Sequence, residues 1–169
     1  MKKNIYFAIS LFFVFFACAE KDFPDTEGTL DPVFPGDDVA VFFEEHLPNF
    51  SGVRSDCFFV DDGTNACILI NSVEEFSRLS SCVSTLLPTI DFEFYTLVIG
   101  QHQMSGTGFF VIDQNLIVES ENIKLNINIQ RPESSYTVIC PLYFWGVYPK
   151  FQTKNKSIDV NLIFQEIGN

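Results

Sequence analysis

From Ile123 to Gln130 apolar and polar residues alternate without a break. Ile123, Leu125, Ile127 and Ile129 stand against Lys124, Asn126, Asn128 and Gln130. A period of two belongs to an extended strand with one buried face and one wet face; a helix would scatter the same residues around its surface. A wet face points to an antiparallel sheet, because helix-covered parallel sheets are buried on both sides. Ile158, Val160, Leu162 and Phe164 repeat the pattern, with Asp159 and Asn161 turned outward. Tyr95 to Gly100, Phe109 to Asp113, Leu116 to Val118 and Tyr136 to Trp145 supply further apolar runs, and Pro141 marks the last as an edge or a bulge. Glu121-Asn122 reads as a turn.

Two helices interrupt this β pattern. Ser72-Val73-Glu74-Glu75 has the spacing of a capping box, which predicts a helix over 72–83 with Val73, Phe76, Leu79 and Val83 on one face. Glu74 and Arg78 stand i,i+4 on its outside. Asp37 or Asp38 can cap a shorter helix over 38–47, which Pro48 stops. Cys57-Phe58-Phe59-Val60 and Cys67-Ile68-Leu69-Ile70 flank a turn-rich Asp61 to Asn65, the composition of a hairpin. The expected class is α+β and mainly β, an antiparallel meander or sandwich-like sheet with one secure helix.

The amino terminus carries an address. Lys2 and Lys3 precede an apolar run from Ile5 to Ala17, the order of a secretory signal. That run is 13 residues, short of the roughly 20 needed to span a membrane. Phe15-Phe16-Ala17-Cys18 resembles a bacterial lipobox, which implies a signal peptide over 1–17 and a lipidated Cys18. The acyl chains would contribute ~0.8 kcal/mol per buried CH₂ to membrane anchoring. Ala19 in place of Asp, and the charged Glu20-Lys21-Asp22, resemble the sorting and surface-export signals of outer-membrane lipoproteins, the latter those of the Bacteroidetes. The expected place is the outer membrane, on its periplasmic or cell-surface face. Residues 18–37, with Pro24, Pro32, Pro35, Gly28 and Gly36 among acids, read as a flexible tether, leaving 38–169 as a single β-rich domain.

Without residues 1–17, 8 Lys and Arg face 22 Asp and Glu, a formal charge of −14. Such a field excludes nucleic acid as a partner and gives no electrostatic hold on anionic lipid. Between Glu20 and Asp62 only Lys21 and Arg54 oppose the acids.

Four cysteines remain beyond the anchor. In an oxidising compartment an even number reads as disulfides, with three pairings open. Their spacings fit no zinc template. Cys67 opens a predicted strand and Cys82 ends the predicted helix after it. A helix folding back antiparallel would return its end to the strand's start, which favours Cys67–Cys82 and leaves Cys57–Cys140.

No catalytic or metal-binding constellation emerges. His46 and His102 are the two histidines, and no GxSxG or papain-like motif accompanies them. Asp61-Asp62 and Asp37-Asp38 lack EF-hand spacing. Gly106-Thr107-Gly108 precedes a strand, not the helix a phosphate cradle requires. No cofactor is implied. The densest aromatic group, Tyr143, Trp145, Tyr148 and Phe151, would serve as a binding surface for a glycan or protein if exposed, and as core if buried.

The order of Tyr95-Thr-Leu-Val-Ile-Gly100, then Gly106-Thr-Gly-Phe-Phe-Val-Ile112, then Cys140-Pro-Leu-Tyr-Phe-Trp-Gly-Val-Tyr-Pro-Lys150 resembles the C-terminal domain of PrcB-type protease-complex accessory subunits. Gly108-Phe109 stands where that family has a doubled glycine and Tyr. The resemblance covers about a third of the chain and implies an accessory role beside a protease. The expectation is a non-catalytic binding or accessory module for an envelope protein complex. The alternative is a hydrolase of envelope or dietary polymers using dispersed carboxylates roughly 5–10 Å apart.

Overall fold

The computed structural model describes residues 27–61, 63–82, 86–134 and 136–165. The expected signal peptide, Cys18 and residues 19–26 of the expected tether lie outside them, as do Asp62 and Val83. Seven strands and two helices follow in the order β1 (Gly28–Leu30), α1 (Asp37–His46), β2 (Ala66–Ile70), α2 (Val73–Leu79), β3 (Tyr95–Met104), β4 (Phe110–Val118), β5 (Asn122–Gln130), β6 (Cys140–Pro149) and β7 (Ser157–Gln165). The class is α+β and mainly β, as the periodicities require.

The strands form two sheets, β1-β4-β5-β7 and β2-β3-β6. Of the two expected arrangements the sandwich is the one adopted, and the strands are not strung as a meander. β3 does not turn back onto β4. It pairs antiparallel with β6 over ten residues, from Tyr95↔Pro149 to Met104↔Cys140, while β4 belongs to the other sheet. β5 and β7 pair in parallel over nine residues, from Asn122↔Ser157 to Gln130↔Gln165.

Two apolar layers result. Between the sheets lie Leu116 and Val118 of β4, Leu125 and Ile127 of β5, and Val98, Leu142 and Phe144 of the smaller sheet. On the outer face of the smaller sheet, Phe42 and Phe43 of α1 and Phe76 of α2 pack over Leu97, Ile99 and Val147. β3 is therefore covered on both sides, and Thr96 to Gln101 are all buried. That explains why Leu97-Val98-Ile99 shows no alternation while β5 alternates strictly. Gly100 sits where the Phe144 ring crosses β3; a Cβ there would collide with that ring and with the Ala66 carbonyl.

Several local expectations change. β1 occupies part of the segment expected as tether. Gly36, not Asp37 or Asp38, is the N-cap of α1, and the two aspartates complement the dipole from its first turn. α2 starts at the expected Ser72 cap, where Glu75 N–H donates to Ser72 Oγ (3.1 Å); the return bond differs from a capping box, because Glu75 Oε2 accepts from Asn71 N–H (2.8 Å), one residue before the cap. It ends at Leu79, short of 83, because Ser80 turns to extended backbone and Ser81 N–H bonds to Cys57 O. The hairpin expected over 57–70 is not formed; β2 pairs with β3, and residues 57–61 bend.

Among the described residues no helix is long and apolar enough to cross a membrane.

Candidate functional site

β1 pairs with β4 at three positions only, Gly28↔Val118, Thr29↔Ile117 and Leu30↔Leu116. Pro32 has no N–H to continue the ladder, and the chain leaves the sheet there. Val33 N–H then donates to Val147 O in the other sheet (2.7 Å). Farther along the same edge, Val111 N–H donates to Asn49 O (3.1 Å) and Phe50 bridges Phe110. Between these two contacts no strand among the described residues pairs with this side of β4. The gap coincides with a β-bulge at Ile112, where the β4–β5 register slips between Val111 and Asp113.

This gap forms the wall of a cleft of about 430 Å³ lined by Asp31, Pro32, Asn49, Val111, Ile112, Asp113, Gln114 and Trp145. Bulged Ile112 is 42 % exposed. Gln114 is buried and ties the two sheets together by donating its amide to Trp145 O. Gly146 leaves room for that amide. The Trp145 ring stacks on Phe43 at 4.7 Å between centroids and 20° between planes, which fixes it at the cleft's side. Asp113 accepts from the Asn128 amide. The cleft thus combines backbone groups, two carboxylates, apolar surface and an immobilised indole. Such a set can hold an extended or polyhydroxylated ligand, and its charge favours a cationic one.

A second cleft, of about 310 Å³, lies at the other end of β6 and includes Arg54, Phe59, Asp61, Ile139 and Tyr143. Phe59 adopts φ 55°, a left-handed conformation rare for a non-glycine residue. Its ring stacks on Tyr143 at 6.4 Å, while Tyr143 Oη accepts from Ser55 N–H at 3.1 Å.

Of the aromatic binding surface expected from sequence, three members are core: Tyr143 is 2 %, Tyr148 0 % and Phe151 1 % exposed. Burial also pushes the Tyr148 phenol upward. Only Trp145 of the four is half-buried, and it faces the β4 cleft. The favoured cysteine pairing is also corrected. Cys57 bonds to Cys82, with Cα atoms 4.9 Å apart. Cys67 and Cys140 are free thiols. β2 pairs with β3, so Cys67 faces Gly100 and not the helix end. Cys140 donates to Gly106 O at 2.9 Å.

Ser51 drew no structural role from the sequence. It is fully buried, donates to Gly106 O (3.3 Å) and accepts from Phe109 N–H (2.9 Å), so it and Cys140 clamp the loop before β4. A small polar residue beside Gly52 carried no signal of that role.

Nucleophilic chemistry finds no support. Cys67 and His102 line one crevice between β2 and β7, but burial pushes the Cys67 thiol up to about 12 and lowers His102. A nucleophilic cysteine needs the opposite shift. His46, Cys57 and Cys82 offer ligand-type atoms within 4.8 Å of one another. Both sulfurs are committed to the disulfide, and His46 Nδ1 is bonded to Asp56 Oδ1 at 2.8 Å.

Comparison of the chain with protein-family models, with curated proteins and with solved structures gives no match.

Proposed function

We propose that this chain is a lipid-anchored cell-envelope protein, held at the outer membrane through Cys18, that acts as a non-catalytic accessory module for an envelope protein complex. The observation that carries this reading is the break in the β4 edge. Ile112 bulges outward there between Asp31 and Trp145, and the ladder has no partner on that side among the described residues. An open stretch of strand edge supports capture of an extended segment of another protein through backbone hydrogen bonds, with flanking side chains giving selectivity. Asp31 and Asp113 suit a segment bearing Lys or Arg, in keeping with the formal charge of −12 for the whole chain. Desolvation raises the Cys67 thiol to about 12 and lowers His102 beside it, which supports a role without nucleophilic chemistry.

The test is an affinity pull-down from gently solubilised native membranes, run with the parent chain, Cys18→Ser and Ile112→Arg. A protein recovered near one-to-one with the first two and lost with the third is expected. Recovery that survives Ile112→Arg, or that needs the lipid, removes the cleft from the reading. Cys18→Ser should also move the chain from the membrane fraction to the soluble one.

One observation favours a hydrolase instead: Asp31 and Asp113 share the cleft with Trp145. Turnover of envelope or dietary glycans that disappears in Asp113→Asn would establish it.

A further inference from the structure

We propose that β7 is a dimerisation edge, on which two copies of this chain pair antiparallel about a two-fold axis at Asn161. The proposal does not rest on the accessory reading.

β7 is the terminal strand of its sheet, opposite β1, and every residue in it is exposed or half-buried. Two of the other edge strands of the sandwich, β1 and β6, are guarded. β1 is three residues long and stops before Pro32. β6 carries Pro141 and accepts a bond from Val33 at Val147. These are devices by which native sheets prevent edge-to-edge pairing. β7 has none of them. It contains no proline, no lysine and no arginine, and its nine-residue register with β5 is unbroken by any bulge. Alternate residues of such a strand direct N–H and C=O away from β5, a template for a further strand.

The strand is complementary to itself. For both copies to keep their apolar faces toward their own cores, residues must pair with others of the same parity. Centring on Asn161 is the one such register that pairs all nine residues. It sets half-buried Val160 opposite the second copy's Leu162 and half-buried Ile158 opposite its exposed Phe164, so apolar side chains meet on the inner face. On the outer face Asp159, the only charge in β7, meets the second copy's Ile163, which is 40 % exposed. No like charges face each other.

The centre itself is prepared. Asn126 donates to Asn115 Oδ1 and Asn161 donates to Asn126 Oδ1, both at 3.1 Å, which makes an amide ladder across β4, β5 and β7. Asn161 ends the ladder and keeps a carbonyl oxygen and a second N–H for its own image across the axis. The result is a continuous eight-stranded sheet with six asparagines in a row. Because each copy is acidic, salt should strengthen the association.

Sedimentation equilibrium of the full chain in density-matched non-ionic detergent tests this, with Asn161→Lys and Asn161→Asp as variants. The parent chain should show a reversible dimer, and each variant alone should weaken it at least about tenfold through like charges at the axis. Mixing the two variants should restore a heterodimer, because Lys then faces Asp. Circular dichroism confirms that the variants stay folded. A monomeric parent chain at 0.1 mM would overturn the proposal. So would a dimer indifferent to both substitutions, or a mixture no tighter than its components.

Discussion

Cys57 and Cys82 are 25 residues apart, and cross-linking a loop of that length removes roughly 3.5 kcal/mol of unfolded-state entropy in the chain-entropy account. The bond ties the bend after α1 to the segment after α2, at the margin of the helical layer. Cys67 and Cys140 contribute differently, as small free thiols, the first half-buried and the second buried, and desolvation pushes the Cys67 thiol up to about 12. Thiol counting on a Cys18→Ser chain separates these roles. In denaturant, two thiols should react before reduction and four after it. In the native state at pH 8, Cys67 should stay unlabelled over hours, because its thiolate is scarce and its sulfur covered. Rapid native labelling of Cys67, or four reactive thiols without reduction, would contradict the assignment. Which cysteines pair was not legible from spacing. The strand-to-helix geometry that favoured Cys67 took the helix as running to Cys82, but α2 ends at Leu79, and residues 57–60 bend where a strand was expected.

Ser55 explains that failure at the level of elements. Its hydroxyl donates to His46 O (2.6 Å) and accepts from the N–H groups of Phe58 (2.9 Å) and Cys57 (3.3 Å). Those donors would otherwise enter a ladder, so Cys57-Phe58-Phe59-Val60 bends under the helical layer despite its apolar composition. Apolar content alone does not separate a strand from a buried bend. A local signal did identify α2, because Ser72 and Glu75 act within one turn and need no distant partner. At seven residues α2 has little intrinsic stability. Ser72→Ala should therefore cost about 1 kcal/mol by urea denaturation, and Ser72→Asn a few tenths at most. Equal losses in both variants would show that the hydroxyl's cap bond is not what stabilises the turn. The β4 cleft was not legible: Pro32 reads as tether and Phe109 to Asp113 as a plain apolar run, and neither the bulge at Ile112 nor the place where β1 leaves the sheet shows in the sequence.

For the whole molecule, the decisive fact is that one sheet serves two cores. β3 and β6 lie between the helical layer and the four-stranded sheet, so unfolding either core exposes one of their faces. The alternation of β5 and the unbroken apolar run of β3 announced wet and buried faces respectively. The partnership of β3 with β6 did not show, since periodicity reports burial and not which distant strand supplies it. Pairing Tyr95 with Pro149 also closes a long loop, which favours slow folding and a cooperative end state. Hydrogen exchange should reveal a matching hierarchy. Amides of Leu97 to Gly100 should exchange only through global opening, with a free energy equal to that from denaturant unfolding. Amides of Thr29 and Leu30, in a three-residue strand, should exchange through local opening and at least about a hundredfold faster. If β1 proved as protected as β3, its stop at Pro32 would not be a loose edge, and the cleft beside it would be rigid. If β3 exchanged below the global limit, the two cores would open independently, and the central sheet would not couple them.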